Sequence, residues 1–161
     1  MPGFELFDFE ERKAVNDLFD ANGGVLFAHG FQNIRNGVFK VREFEKLATK
    51  MFNVKYAQAV SSCTAALRVA LAALELTPDD EVIIPSFTFV ATAEAVIESR
   101  AKLIVVDIDE SLTMCPKSFE AAISDKTAAV IPVHMMSAPA DIDKICGIAK
   151  RHNISVIEDA A

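Results

Sequence analysis

Glu81-Val82-Ile83-Ile84-Pro85, followed by Ser86-Phe87-Thr88-Phe89-Val90-Ala91-Thr92 and later by Leu103-Ile104-Val105-Val106-Asp107, decides the fold. Residues 81–84 are a short β-prone run stopped by Pro85, whose missing N–H cannot serve a strand ladder. Residues 90–99 are long enough and regular enough for a helix. Residues 103–107 are a second short apolar run. Strand, helix, strand is a βαβ unit, and it implies parallel pairing.

The same rhythm extends in both directions. Upstream, residues 56–60 read as a strand, and 64–74 as a helix with Leu67, Leu71 and Leu74 on one side. Downstream, 117–123 read as a short helix, 129–133 as a strand, 141–152 as a helix and 154–158 as a fifth strand. Apolar runs of this kind suit strands buried on both faces. The expected fold is α/β: a three-layer α/β/α arrangement around a mostly parallel sheet.

The N-terminal region reads differently. Asp8 followed by Glu11 is a capping-box start for a helix to about residue 21, ended by Asn22-Gly23-Gly24. Residues 25–37 are punctuated by Gly and Asn and read as an extended loop. Phe44, Leu47, Ala48, Met51 and Phe52 recur at helical spacing, so residues 41–52 form an amphipathic helix. The expected division is an arm of helix and loop over 1–40 and a sheet domain over 41–161.

Composition narrows the function. At 161 residues and 52% apolar content the chain can bury a core and is not disordered. A net charge of −7 gives no overall basic footprint, so nucleic acid is not an expected partner. Cys63, Cys115 and Cys146 are far apart, with no C-x-x-C and no matching His spacing. Neither a disulfide framework nor a metal site is expected, and a reducing cytoplasm is the expected home. The first residues lack the basic and apolar regions of a signal peptide, and no stretch matches a membrane span.

In open parallel sheets ligands sit beyond the carboxyl ends of the strands. Four segments fall there. Ser61-Ser62-Cys63-Thr64-Ala65 runs into a helix start, where exposed N–H groups and the Thr64 hydroxyl suit an anion; an ordinary Ser/Thr cap fits as well. Neither G-x-x-x-x-G-K-[ST] nor G-x-G-x-x-G occurs, which argues against a P-loop or a nicotinamide-binding domain. Phe87 and Phe89 follow the 81–84 strand, where an aromatic ring can cover a planar ligand; from the residues alone, burial in the core is the favoured reading. His134 ends a strand and reads as a ligand contact or a structural histidine. Glu158 and Asp159 follow the last strand, and alternation sends them to opposite sides.

Taken together, Ser62-Cys63-Thr64-Ala65-Ala66-Leu67, Asp80-Glu81-Val82-Ile83-Ile84-Pro85, Thr88-Phe89-Val90-Ala91-Thr92, Val106-Asp107-Ile108-Asp109 and Glu158-Asp159-Ala160-Ala161 resemble, in order and spacing, the DegT/DnrJ/EryC1/StrS sugar aminotransferases. The resemblance covers about residues 30–161. It implies the large domain of the aspartate-aminotransferase-like fold (PLP fold type I), in truncated form, and pyridoxal 5'-phosphate (PLP) as cofactor. By resemblance, Thr64 and the Ala65 N–H hold the cofactor phosphate, Phe89 stacks on the pyridine ring and Asp159 pairs with its nitrogen. His134 would orient Asp159 from behind.

The resemblance further implies a keto- or aldehydo-sugar as substrate, an amino acid as amino donor and a homodimer. Met1-Pro2-Gly3-Phe4-Glu5-Leu6-Phe7, with Val133-His134-Met135, is similar to a branch that aminates eight-carbon acid sugars of lipopolysaccharide. There are departures. Cys63 and Asp79 stand where Gly is common, and Met136-Ser137 where an aromatic-Gly pair is usual.

The family's catalytic lysine follows the segment that starts at Asp159, and no lysine here occupies that motif. The expectation is therefore an N-terminal fragment with no catalytic lysine of its own, unable to transaminate alone. Two alternatives stay open: a sugar dehydratase of the same family that lacks the lysine, and a non-catalytic binding or dimerisation remnant.

Overall fold

The computed structural model of the chain describes residues 6–21, 33, 37 and 39–161. The chain divides into two units, residues 1–59 and 60–161.

The first unit holds α1 (Phe9–Ala21) and α2 (Lys40–Met51). The expected capping-box-like start forms, with the second helical N–H rather than the third bound to the cap side chain. Asp8 Oδ1 accepts from the Glu10 N–H at 3.1 Å, and Glu11 Oε2 accepts from the Asp8 N–H at 3.0 Å. In α2 the apolar stripe is present, but no residue of the helix is buried. The Gly-rich end of the first helix, the 25–37 loop apart from Asn33 and Gly37, and the first five residues of the opening motif lie outside the described residues.

The second unit alternates strand and helix. It comprises α3 (Cys63–Ala72), β1 (Glu81–Pro85), α4 (Val90–Glu98), β2 (Lys102–Val106), α5 (Pro116–Ala122), β3 (Thr127–Val130), α6 (Ile142–His152) and β4 (Ser155–Val156). The four strands form one sheet in the order β2-β1-β3-β4, all parallel. Central β1 alternates its side chains between two cores. Val82 and Ile84 pack with Leu67 and Leu71 of α3 and Ala95 and Val96 of α4. Ile83 packs on the other face with Phe119 of α5 and Ile145 and Ile148 of α6. The three-layer α/β/α expectation holds.

One element does not. Residues 56–60 form no strand. A strand exists only with a partner, and no described residue pairs with them; Tyr56 is exposed, and the chain from Val60 leads directly to the α3 cap. The last strand is also shorter than expected, β4 covering only Ser155–Val156.

The order β2-β1-β3 means that the chain leaves β1 towards one side and returns on the other. The crevice beyond the ends of β1 and β3 is thus the topological switch point, where such sheets bind ligands. No helix among the described residues is long and apolar enough to cross a membrane.

Candidate active site

The segments that follow β1, β3 and β4 meet the start of α3 around a cavity of about 250 Å³. Its walls include Cys63, Thr64, Phe89, Thr92, Val133 and Asp159.

Backbone pairing puts Asp159 there. Its N–H donates to the Pro132 carbonyl and its own carbonyl accepts from the His134 N–H, each at 2.9 Å. This continues the parallel pairing past the strand ends, with Val133 opposite Asp159. The residue is only 6% exposed. Its Oδ2 accepts from Thr92 Oγ1 at 2.8 Å, and its Oδ1 from the Ala161 N–H at 3.3 Å and the Cys63 thiol at 3.6 Å. All three partners are able to donate, as an ionised carboxylate requires. Among the described residues, no cationic side chain forms an ion pair with Asp159. A buried carboxylate without a cation is costly, by several kcal/mol in a dry setting. The cavity is therefore suited to a ligand that brings positive charge.

The start of α3 supplies the opposite preference. Ser62, in extended conformation, is the helix cap, and its Oγ accepts from the Ala65 N–H at 3.1 Å. Thr64 is thus not the cap but a residue of the first turn. The Ala65 N–H, expected to face a phosphate, is engaged by Ser62. The N–H groups of Cys63 and Thr64 precede the first intrahelical bonds and belong to the positive end of the helix. Burial, then the Asp159 charge and hydrogen bond, push the Cys63 thiol above its ordinary value.

Phe89 is 72% exposed and forms part of the cavity wall. The residue-based preference for a core position is overturned here. Phe89 is the extended cap residue of α4, so its ring leaves the helix's buried face. Phe87 is also outside the core, and among the described phenylalanines only Phe119 is buried.

His134 is where the sequence placed it, but its imidazole does not hold the Asp159 carboxylate. Nε2 lies 3.2 Å from Glu158 Oε2, and Nδ1 accepts from the Ala140 N–H at 3.1 Å. The alternation that separates Glu158 from Asp159 puts the ring on the Glu158 side. Only the backbone N–H of His134 serves Asp159. Next to it, Met136 and Ser137 both have positive φ, 53° and 64°, and the Ala138 N–H donates to the Met135 carbonyl at 2.8 Å. That is a mirror-image hairpin turn made without glycine.

Sequence reasoning missed Thr92. It is fully buried in α4 and bonds both Asp159 and Thr88. The available signal was a lone hydroxyl in an Ala/Val-rich helix turn.

The family model for DegT/DnrJ/EryC1/StrS aminotransferases matches residues 29–161. The chain belongs to this family. Solved structures agree with the assignment. An aminotransferase from Psychrobacter cryohalolentis matches at 33% identity and a TM-score of 0.82, over 94% of this chain and 36% of that one. NtdA from Bacillus subtilis, with bound cofactor PMP, matches at 35% identity and a TM-score of 0.75, over 92% and 33%. E. coli GDP-4-keto-6-deoxy-D-mannose-3-dehydratase with bound hydrated PLP matches at 28% identity and a TM-score of 0.80, over 96% and 39%. This DegT-family chain has the PLP fold type I architecture and spans between 33% and 39% of the length of these relatives.

Proposed function

We propose that this chain carries the cofactor-binding part of a PLP-dependent sugar aminotransferase, with residues 41–161 belonging to the large domain and 1–40 forming an arm. The observation that carries the reading is Asp159: a buried carboxylate with no described cationic partner, facing a cavity with an exposed aromatic wall. When bound, PLP supplies a cationic ring that takes up the electron pair released as a substrate C–H bond breaks.

In this reading Asp159 holds the proton on the ring nitrogen, since an adjacent carboxylate favours the charged form. Phe89 covers one ring face. Thr64 and the first N–H groups of α3 bind the phosphate, with the Ala65 N–H contributing once Ser62 releases it. His134 acts through its backbone N–H, which fixes Asp159. The substrate is a keto- or aldehydo-sugar, an eight-carbon acid sugar among the candidates, and an amino acid is the donor. The working form is a cytoplasmic homodimer. The dehydratase match favours one second reading, a family member that removes a hydroxyl instead of adding an amine. The 161-residue chain by itself binds cofactor without turning over substrate.

Calorimetric titration of the chain with pyridoxamine 5'-phosphate (PMP), which needs no covalent lysine, tests the reading. Binding that weakens at least tenfold in Asp159→Asn supports it. No binding by the unmodified chain, or equal affinity in the variant, contradicts it.

A further inference from the structure

Thr92 has no exposed surface, and its neighbours Ala91, Ala95 and Val96 on α4 are buried apolar residues. Its hydroxyl has two partners at 2.8 Å, Asp159 Oδ2 and Thr88 Oγ1. A hydroxyl has one proton to give. An ionised Asp159 has none, so Thr92 donates to Asp159 and Thr88 donates to Thr92. The carboxylate charge thus fixes the direction of the whole chain of hydrogen bonds.

The two carboxylate oxygens are held unequally. Oδ2 receives this short, charge-assisted bond. Oδ1 receives only the longer contacts from Ala161 and Cys63, at 3.3 and 3.6 Å. An aspartate carboxylate otherwise turns broadly about its last torsion. We infer that Thr92 is a positioning residue: by anchoring Oδ2 it sets the plane in which the Asp159 carboxylate meets a cationic ring N–H. The inference rests on the cofactor reading above and adds the residue that makes Asp159 selective for a ring nitrogen.

The test compares two ligands by calorimetry: PMP, and its analogue with C–H in place of the ring nitrogen. The unmodified chain prefers PMP. Thr92→Ser keeps the hydroxyl and keeps the preference. Thr92→Val reduces the preference about tenfold, the scale of a lost hydrogen bond to a charged group. If Thr92→Val weakens both ligands alike, or neither, Thr92 is only a packing residue and the inference is overturned. If the unmodified chain binds neither ligand, the cofactor reading falls and the inference falls with it. Should Thr92→Val not fold, Thr92→Cys replaces it in the same comparison. Its weaker S–H donor gives a partial loss of preference, and an unchanged preference overturns the inference.

Discussion

The backbone N–H of Ala140 donates to Nδ1 of His134 at 3.1 Å, which assigns the ring proton of the neutral imidazole to Nε2, facing Glu158. The histidine thereby closes residues 134–140 into a loop whose Met135 forms part of the cavity wall. Ala140 is buried, so removing its acceptor leaves an N–H unsatisfied. His134→Ala should destabilise the chain by about 1–2 kcal/mol. His134→Asn, whose side-chain oxygen can take the place of Nδ1, should recover much of that loss. Urea melts of the two variants check the pair; equal destabilisation would refute the role given to Nδ1.

The turn inside that loop stores strain. Met136 and Ser137 sit in the left-handed region, which costs a non-glycine residue about 1–2 kcal/mol. Ser137→Gly should stabilise the chain by about 1 kcal/mol and raise Tm by about 3 °C, part of the gain being offset by a more flexible unfolded state. Thermal denaturation followed by circular dichroism measures it, and a fall in Tm would show the turn to be unstrained.

The three thiols should react in a set order. Burial and the Asp159 charge raise Cys63, while burial, Glu158 and Asp143 raise Cys146. The backbone and then the side chain of Ser118 lower Cys115. The thiolate is the reactive form. Iodoacetamide labelling followed by mass spectrometry should therefore label Cys115 at the lowest pH. In Asp159→Asn, labelling of Cys63 should move to lower pH, because the like charge that opposes its ionisation is gone. An unchanged Cys63 profile would break the link between the two residues.

Acid should weaken the fold through identifiable carboxylates. Asp80 accepts from the Thr77 N–H at 2.6 Å and from its hydroxyl at 2.8 Å, closing the turn into β1. Asp141 caps α6. Hydrogen bonds from Thr77 lower Asp80, and those from Lys144 lower Asp141. A carboxylate lowered in the folded state adds stability above its unfolded value of about 3.9, and that stability is lost as pH falls through the folded value. Urea midpoints should drop from pH 5 to pH 3, and Asp80→Asn should show a smaller drop. A variant that loses as much as the unmodified chain would exclude Asp80.

Strand positions were legible because β1 and β3 are buried on both faces and read as unbroken apolar runs. Asp159 was singled out by the family resemblance; from the residues alone, which of Glu158 and Asp159 faces the ligand stayed open. The false strand at 56–60 has the local composition of a strand, but composition does not supply a partner. Thr92 was hidden because its partner lies 67 residues away, a separation that no local pattern reports. His134 reaches Asp159 only through its backbone N–H, while its imidazole meets Glu158, for a related reason: adjacent acids on an extended chain face opposite ways, and only the sheet shows which one faces the ring.

The central claim is that Asp159 keeps a ring nitrogen protonated, and nitrogen-15 NMR of ¹⁵N-ring-labelled PMP bound to the chain tests it most directly. At a pH where free PMP has lost its ring proton, the bound ligand should still show the protonated shift, and Asp159→Asn should abolish it. A bound ligand that titrates like free PMP would contradict the account.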